Sequence, residues 1–272
     1  MKLKELWHRL YIDPRRRRKM AEFGIPMLQQ IDAAMRAAGK PYTLIYGSLL
    51  GAVREKGFIP HDCDVDIAIW ADEDYSAVWQ ALEAAGFSRR REITVDGGAF
   101  GKEETWKWNS IHVDFFYFFP DGKGGWYGTE FYPQDGCKGW KDSIEKFGGL
   151  KVLKTLLPIT KSTHYMPFER IEMPVMDCAM DFVVDYYGPG WRVPDPTFVY
   201  PRKGETNYEE CPDKLGVIKK AEAKVFRRRE CGPIGGQSSG SGGGCACAPA
   251  PPEIRPYGLG RLHKDPENSG QM

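Results

Sequence analysis

Between Arg15 and Ala38 the apolar residues Met20, Phe23, Met27, Ile31 and Met35 return every three or four positions, the spacing that gathers side chains on one face of an α-helix. Pro26 is expected to bend or divide this helix and Gly39 to end it. Tyr42 to Tyr46 is dense in strand formers and runs into Gly47-Ser48, after which Leu49 to Glu55 reads as a short helix closed by Lys56-Gly57. Alternation follows: Val65, Ile67 and Ile69 are apolar and Asp64, Asp66 and Ala68 fall between them, so a strand here has one apolar face and one carboxylate-bearing face. A helix capped by Asp72 or Asp74 extends to about Ala85 and stops at Gly86. Further strands are expected over Arg91 to Val95, Glu103 to Trp108 and Ile111 to Phe119. Asp177 to Tyr187 reads as another amphipathic helix, with Ala179 or Met180, Phe182, Val183 and Tyr186 inward and Gly188-Pro189 after it. The mixture is an α+β fold.

Composition alters this picture mainly at the C-terminal end. Gly232 to Met272 is rich in Gly, Ser and Pro with few large apolar residues, too little to offset the entropy of ordering, so a disordered tail is expected. The rest divides into an N-terminal helical segment over 1–40, a main domain over 41–200 and an extension over 201–231. Lys and Arg number 38 against 37 Asp and Glu, which leaves no positive excess for a phosphate backbone, and no nucleic-acid partner is expected. No apolar run approaches the ~18 residues of a membrane span, and residues 1–18 lack a signal-peptide core, so the expected location is cytoplasmic. Seven cysteines without repeated spacing suit reduced thiols, and the Cys245/Cys247 pair has no second pair at zinc spacing. The basic run Arg15 to Arg18 with Lys19 either touches an anionic membrane surface or is a solvated helix start.

Residues two apart on a strand project from one face with Cα atoms about 6.5 Å apart, so Asp64 and Asp66 converge. Two such carboxylates repel, and a divalent cation is the usual relief; Mg²⁺ suits oxygen ligands best, with Mn²⁺ as the substitute. Asp62 shares their parity but precedes the strand and is expected beside the ligands rather than among them. Asp114 lies inside an aromatic and β-branched strand where a lone buried carboxylate would be costly. If that strand adjoins the first, Asp114 completes a three-carboxylate centre. His112 shares its face and is read as packing or hydrogen-bonding. Gly47-Ser48 at a helix start can present N–H groups to a phosphate. The competing reading has Asp62, Asp64 and Asp66 lining the solvent face of an edge strand.

The run from Tyr46 to Asp66, with its Gly-Ser turn, Ala52-Val53-Arg54 helix, Ile59-Pro60 and acidic cluster, resembles the signature of the LicD and fukutin-related family. His112 to Pro120 resembles its second acidic motif, and Tyr187-Gly188 with Trp191 and Pro194 its C-terminal one; the likeness covers about Gln29 to Asp195. His61 stands where the family usually has tryptophan, and Cys63 where it often has aspartate or tyrosine. The resemblance implies a nucleotidyltransferase-like mixed β-sheet flanked by helices. It also implies transfer of phosphocholine or a polyol phosphate from CDP-choline, CDP-ribitol or CDP-glycerol to a sugar hydroxyl of a glycan acceptor, as in lipopolysaccharide or teichoic acid biosynthesis. On that basis Asp64 and Asp66 hold the metal, and Asp114 either binds a second metal or takes the acceptor proton. Gly47 and Ser48 cradle a phosphate, Arg54 offsets charge on the nucleotide, and Tyr187 and Trp191 pack in the core. The alternatives are a nucleotidyltransferase delivering a nucleoside monophosphate to a small molecule, or a non-catalytic glycan-binding relative. Pro120 to Pro158, rich in Trp, Tyr, Gly and Lys, is expected to form an acceptor-facing insertion.

Overall fold

A computed structural model of the chain describes residues 13–195, 198–202 and 205–220. The tail expected over 232–272, with Cys245 and Cys247, lies outside the described residues. The first apolar stripe forms α1 (Asp13–Ala37), and Pro26 lies inside it without dividing it. A proline costs a helix interior about 3 kcal/mol, but Met27, Leu28, Ile31 and Met35 on this helix are wholly sequestered, and each such side chain returns about 1.5–3 kcal/mol. Gly39 ends the helix at φ 61°. The Lys40 amide donates to the Met35 carbonyl at 2.9 Å and the Gly39 amide to that of Arg36 at 3.0 Å, a Schellman closure.

After a two-residue strand β1 (Thr43–Leu44) the chain turns at once into α2 (Tyr46–Arg54). The expected strand is thus cut short, and Gly47-Ser48 belong to the first helical turn instead of a loop before it. The remaining elements are β2 (Asp64–Trp70), α3 (Ser76–Ala84), β3 (Ser88–Val95), β4 (Gly101–Trp108) and β5 (Ile111–Pro120). They continue with β6 (Trp126–Tyr132), α4 (Trp140–Phe147), β7 (Lys151–Thr155), β8 (Thr163–Phe168), β9 (Ile171–Met176), α5 (Ala179–Tyr187), β10 (Tyr208–Glu210) and β11 (Val217–Lys220). The N-cap of α3 is Tyr75 and neither Asp72 nor Asp74; Asp74, one residue earlier, accepts the Ser76 amide at 2.9 Å, and Asp72 receives Lys161 at 2.7 Å. In α5 it is Ala179 that is buried, with Met180 exposed.

The sheet is mixed and curled. Its path runs β10-β7-β6-β5-β4-β3-β11, with β2 parallel to β5 and β1 antiparallel to β2. The segment expected as an insertion supplies β6 and β7, which lengthen the sheet. A second small core of Ile93, Val95, Phe131, Leu150 and Val152 shows β3 curling toward β7.

One face of the central strands carries Val65, Ile67, Val113, Phe115 and Trp106, all buried. α3 covers it through Trp79, stacked 5.2 Å from Trp106 and edge-on to Phe115 at 4.9 Å. α1 adds Phe23 against Trp108 at 6.1 Å. On the opposite face α2 meets α5, and the Tyr46 ring lies 4.8 Å from Phe116 and 5.1 Å from Tyr186. That cover leaves the start of β2 open: Asp64 is exposed, whereas Ala68 and Trp70 further along are fully buried. The hairpin β8–β9 braces the loop between α2 and β2. Glu169 donates its amide to the Lys56 carbonyl at 2.6 Å and Phe168 meets Phe58 edge-on at 4.8 Å.

Gly51 is the tightest point under this loop, since a Cβ there would lie 2.4 Å from the Gly57 carbonyl oxygen. Backbone cannot yield as a side-chain tip does, so Gly51→Ala should destabilise the protein by about 1–3 kcal/mol, measured as a lower urea midpoint with an unchanged slope.

Candidate active site

The head of α2 is built around Asp66. The Ile45 amide donates to the Asp66 carbonyl at 3.2 Å. Tyr46 then takes φ 44°, a left-handed conformation costing a non-glycine residue about 1–2 kcal/mol. This turn aims the Gly47 amide at Asp66 Oδ2, 3.1 Å away, and the Asp66 amide donates to Ser48 Oγ at 2.9 Å. The positive end of the helix therefore already faces a carboxylate. Ser48 is buried and ties β2 to the helix. A Cβ on Gly47 would fall 3.2 Å from Asp66 Oδ2 and 3.5 Å from Asp62 Oδ2, so the missing side chain is the gap onto which both carboxylates converge.

The parallel register pairs Asp66 with Asp114 and Asp64 with His112, which puts all four side chains on one face. β2 pairs with β5 along its whole length but with β1 only at Ile67 and Ala68, so its first residues lie at a sheet edge, which Gly47 and Ser48 of α2 cover at Asp66. Asp114 has partners that its own strand could not reveal. The Thr105 hydroxyl donates to it from β4, and Arg91 Nη2 stands 3.9 Å away. A bulge between Arg89 and Arg91 sets Arg91 opposite Thr105, and its Nε donates to the Thr105 hydroxyl at 2.7 Å and its Nη2 to Glu103 at 3.0 Å. Sequence reasoning missed Arg91, Glu103 and Thr105, because their arrival depends on the β3–β4 and β4–β5 registers. The donors are oxygens, as a hard divalent cation requires. Among the described residues, no three acidic, imidazole or thiol groups stand as a ready coordination shell.

Beside Asp62 and Gly47 opens a cavity of about 720 Å³ walled by Arg54, Tyr187, Trp191 and Phe198. Arg54 is nearly buried; its Nε donates to Glu55 at 2.7 Å and its Nη1 to the Trp191 carbonyl at 3.0 Å. Trp191 belongs to the core, as expected, and Tyr187 packs against it; both also form the cavity wall.

A sequence model of the LicD/FKTN/FKRP nucleotidyltransferase domain matches residues 39–175. That span holds Gly47, Arg54 and all four site aspartates. The chain belongs to the LicD/FKTN/FKRP family. Membership suggests a phosphotransferase acting on glycans. No curated protein matches the chain. The Tyr187 to Pro194 motif falls beyond the matched segment, yet it contributes Tyr187, Trp191, Val193 and Pro194 to the cavity of the LicD-family site.

Electrostatics at this LicD-family centre are those of acids crowded out of water. Burial, then the Asp64 charge, pushes Asp62 up to about 7 against the pull of Arg54. Burial, followed by the charges of Asp64, Asp114 and Asp62, lifts Asp66 well above the carboxylate range, opposed by the Gly47 amide. Burial also raises Asp114, while Thr105 and Arg91 draw it back. Asp64 reaches solvent, but the surrounding protein still raises its carboxyl, opposed by His112, Arg16 and Arg91. Burial, then Lys107, Arg16 and Arg91, hold His112 below the usual imidazole range.

A carboxyl raised above its unfolded value near 3.9 takes up a proton on folding. Its stabilising contribution is complete below about pH 4 and, for Asp62, is lost as pH rises through about 7. In EDTA, Asp62→Asn should therefore be more stable than the parent at pH 8, by about 1–3 kcal/mol. The difference should close toward pH 4 in thermal melts.

Proposed function

We propose that this LicD-family domain transfers a phosphorus-containing group, phosphocholine or a polyol phosphate, from a CDP-linked donor to a sugar hydroxyl of a cell-surface glycan. The observation that carries the reading is the β2–β5 register, which aligns Asp66 with Asp114 beside a cavity roomy enough for a nucleotide. Asp64, Asp66 and Asp114 are the proposed catalytic carboxylates. Bound by them, Mg²⁺ or Mn²⁺ would neutralise the donor diphosphate and the charge that develops as the phosphoryl bond breaks. The gap at Gly47 suits that role, since acids already converge there with no side chain between them. Asp114 would join the ligand set by giving up its Thr105 hydrogen bond, a loss of about 1.5–3 kcal/mol, or would keep it and accept the proton of the attacking hydroxyl.

The chain's other groups prepare the geometry. Gly47, by lacking a Cβ, leaves room for a donor phosphate at the head of α2, and Ser48 holds the Asp66 backbone beneath it. Arg54, fixed by Glu55 and the Trp191 carbonyl, offsets charge on the nucleotide in the cavity. Asp62 borders both the gap and the cavity.

Incubation with CDP-choline, CDP-ribitol or CDP-glycerol and a glycan acceptor should add the mass of the corresponding phosphate group to the acceptor in mass spectrometry. Addition of a nucleoside monophosphate would favour the nucleotidyltransferase reading instead. Asp66→Asn should lower turnover at least ~100-fold and weaken Mg²⁺ binding by calorimetry; unchanged turnover would reject the assignment.

A further inference from the structure

Strand β6 sends one acid inward toward α2. Glu130, paired in the ladder with Leu153 of β7, has a buried carboxyl whose hydrogen-bonding neighbours are tyrosines. The Tyr132 hydroxyl donates to it, and those of Tyr46 and Tyr186 hydrogen-bond it as well. No cation pairs with it among the described residues. Burial pushes it up to about 7 and the three hydroxyls draw it back.

A carboxyl buried without a cation is expensive, and leucine would fill the same place for less. What leucine could not do is accept. An ionised carboxylate has about four acceptor sites and no donor, and three phenol donors meet here. Of the three, Tyr46 is the one joined to the carboxylate centre. Its ring is hemmed in by Phe116 at 4.8 Å, Tyr186 at 5.1 Å and Phe182 at 5.9 Å. Such contacts hold the side chain from its flanks, whereas a hydrogen bond at the tip, with its narrow range of length and angle, fixes how deep it reaches. Depth matters, because Tyr46 carries the left-handed backbone from which the Gly47 amide is aimed at Asp66. With the tip released, a non-glycine residue leaves that conformation for one that costs less, and the amide next to it swings away.

We infer that Glu130 is a positioning residue, which through the Tyr46 hydroxyl holds the head of α2 so that the Gly47 amide stays on Asp66. The inference bears on the proposed transfer only because Asp66 does; the contact itself stands without it. It also gives β6 a second task, since the strand that lengthens the sheet supplies the anchor for a turn far earlier in the chain.

The test is exchange of backbone amide protons in the full-length protein in EDTA, followed by NMR at Gly47. The reference is Ala71, whose amide donates to the Phe118 carbonyl at 2.8 Å just past the far end of β2. Glu130→Leu and Tyr46→Phe are each expected to speed exchange at Gly47 roughly tenfold and to leave Ala71 at the parent rate. Glu130→Gln, which keeps an acceptor oxygen, should fall between the parent and Glu130→Leu. Tyr200→Phe removes a hydroxyl from the same aromatic stack, where Tyr200 lies 4.2 Å from Tyr186 but donates to Asn207; it should leave Gly47 unmoved. Parent-like exchange at Gly47 in both Glu130→Leu and Tyr46→Phe overturns the inference. Equal acceleration at Ala71, or the same acceleration of Gly47 in Tyr200→Phe, overturns it too, because either would mean general loosening. If Glu130→Leu does not fold, Tyr46→Phe decides alone. In transfer assays run alongside, turnover should fall in the order in which Gly47 loosens. A parent that transfers nothing sinks the proposed reaction and leaves the exchange result to decide this inference.

Discussion

Slide β2 by one residue against β5 and Asp66 would turn toward the helices while Val65 faced the open side, because successive side chains on a strand point opposite ways. The site depends on that not happening. What prevents it is apolar burial on the far side: Val65, Ile67, Val113 and Phe115 are sequestered under α1 and α3. A slip would expose them and bury carboxylates among aromatic rings. The alignment of the acids is thus enforced by residues that never touch the site, and the parallel ladder transmits it.

Against this enforced alignment stand the costs that it creates. Acids held side by side away from water destabilise one another, and Tyr46 adds a left-handed backbone at the same place. These costs sit where α2, β2 and β5 meet. The Gly47 amide, the Ser48 hydroxyl, Thr105 and Arg91 each offset part of them. The result is a centre that the fold tolerates rather than one that stabilises it, which is the expected balance for a functional cluster.

How much of this could be read beforehand follows from the range of each interaction. Asp64 and Asp66 were legible because the two-residue period of a strand is local, and Asp114 because an isolated acid among aromatic residues is conspicuous on any strand. Family resemblance supplied Arg54 and the expected nucleotidyltransferase architecture. Arg91, Glu103 and Thr105 were hidden, since their place depends on a bulge and on two antiparallel registers that no short window encodes. Pro26 does not divide its helix, because the local rule is outweighed by tertiary burial. The 120–158 segment looked like an insertion because its strands have partners only in the sheet they extend.

β5 performs two jobs along its length. From Ile111 to Phe118 it lies beside β2 and β4, whereas Phe119 and Pro120 hand the sheet on to β6. Alterations in β7 and β10 therefore reach the aspartates through the far end of a ten-residue strand or through β6, whose Glu130 hydrogen-bonds Tyr46 at the head of α2. Changes in β7 and β10 therefore have room to accumulate while the aspartate cluster stays as it is.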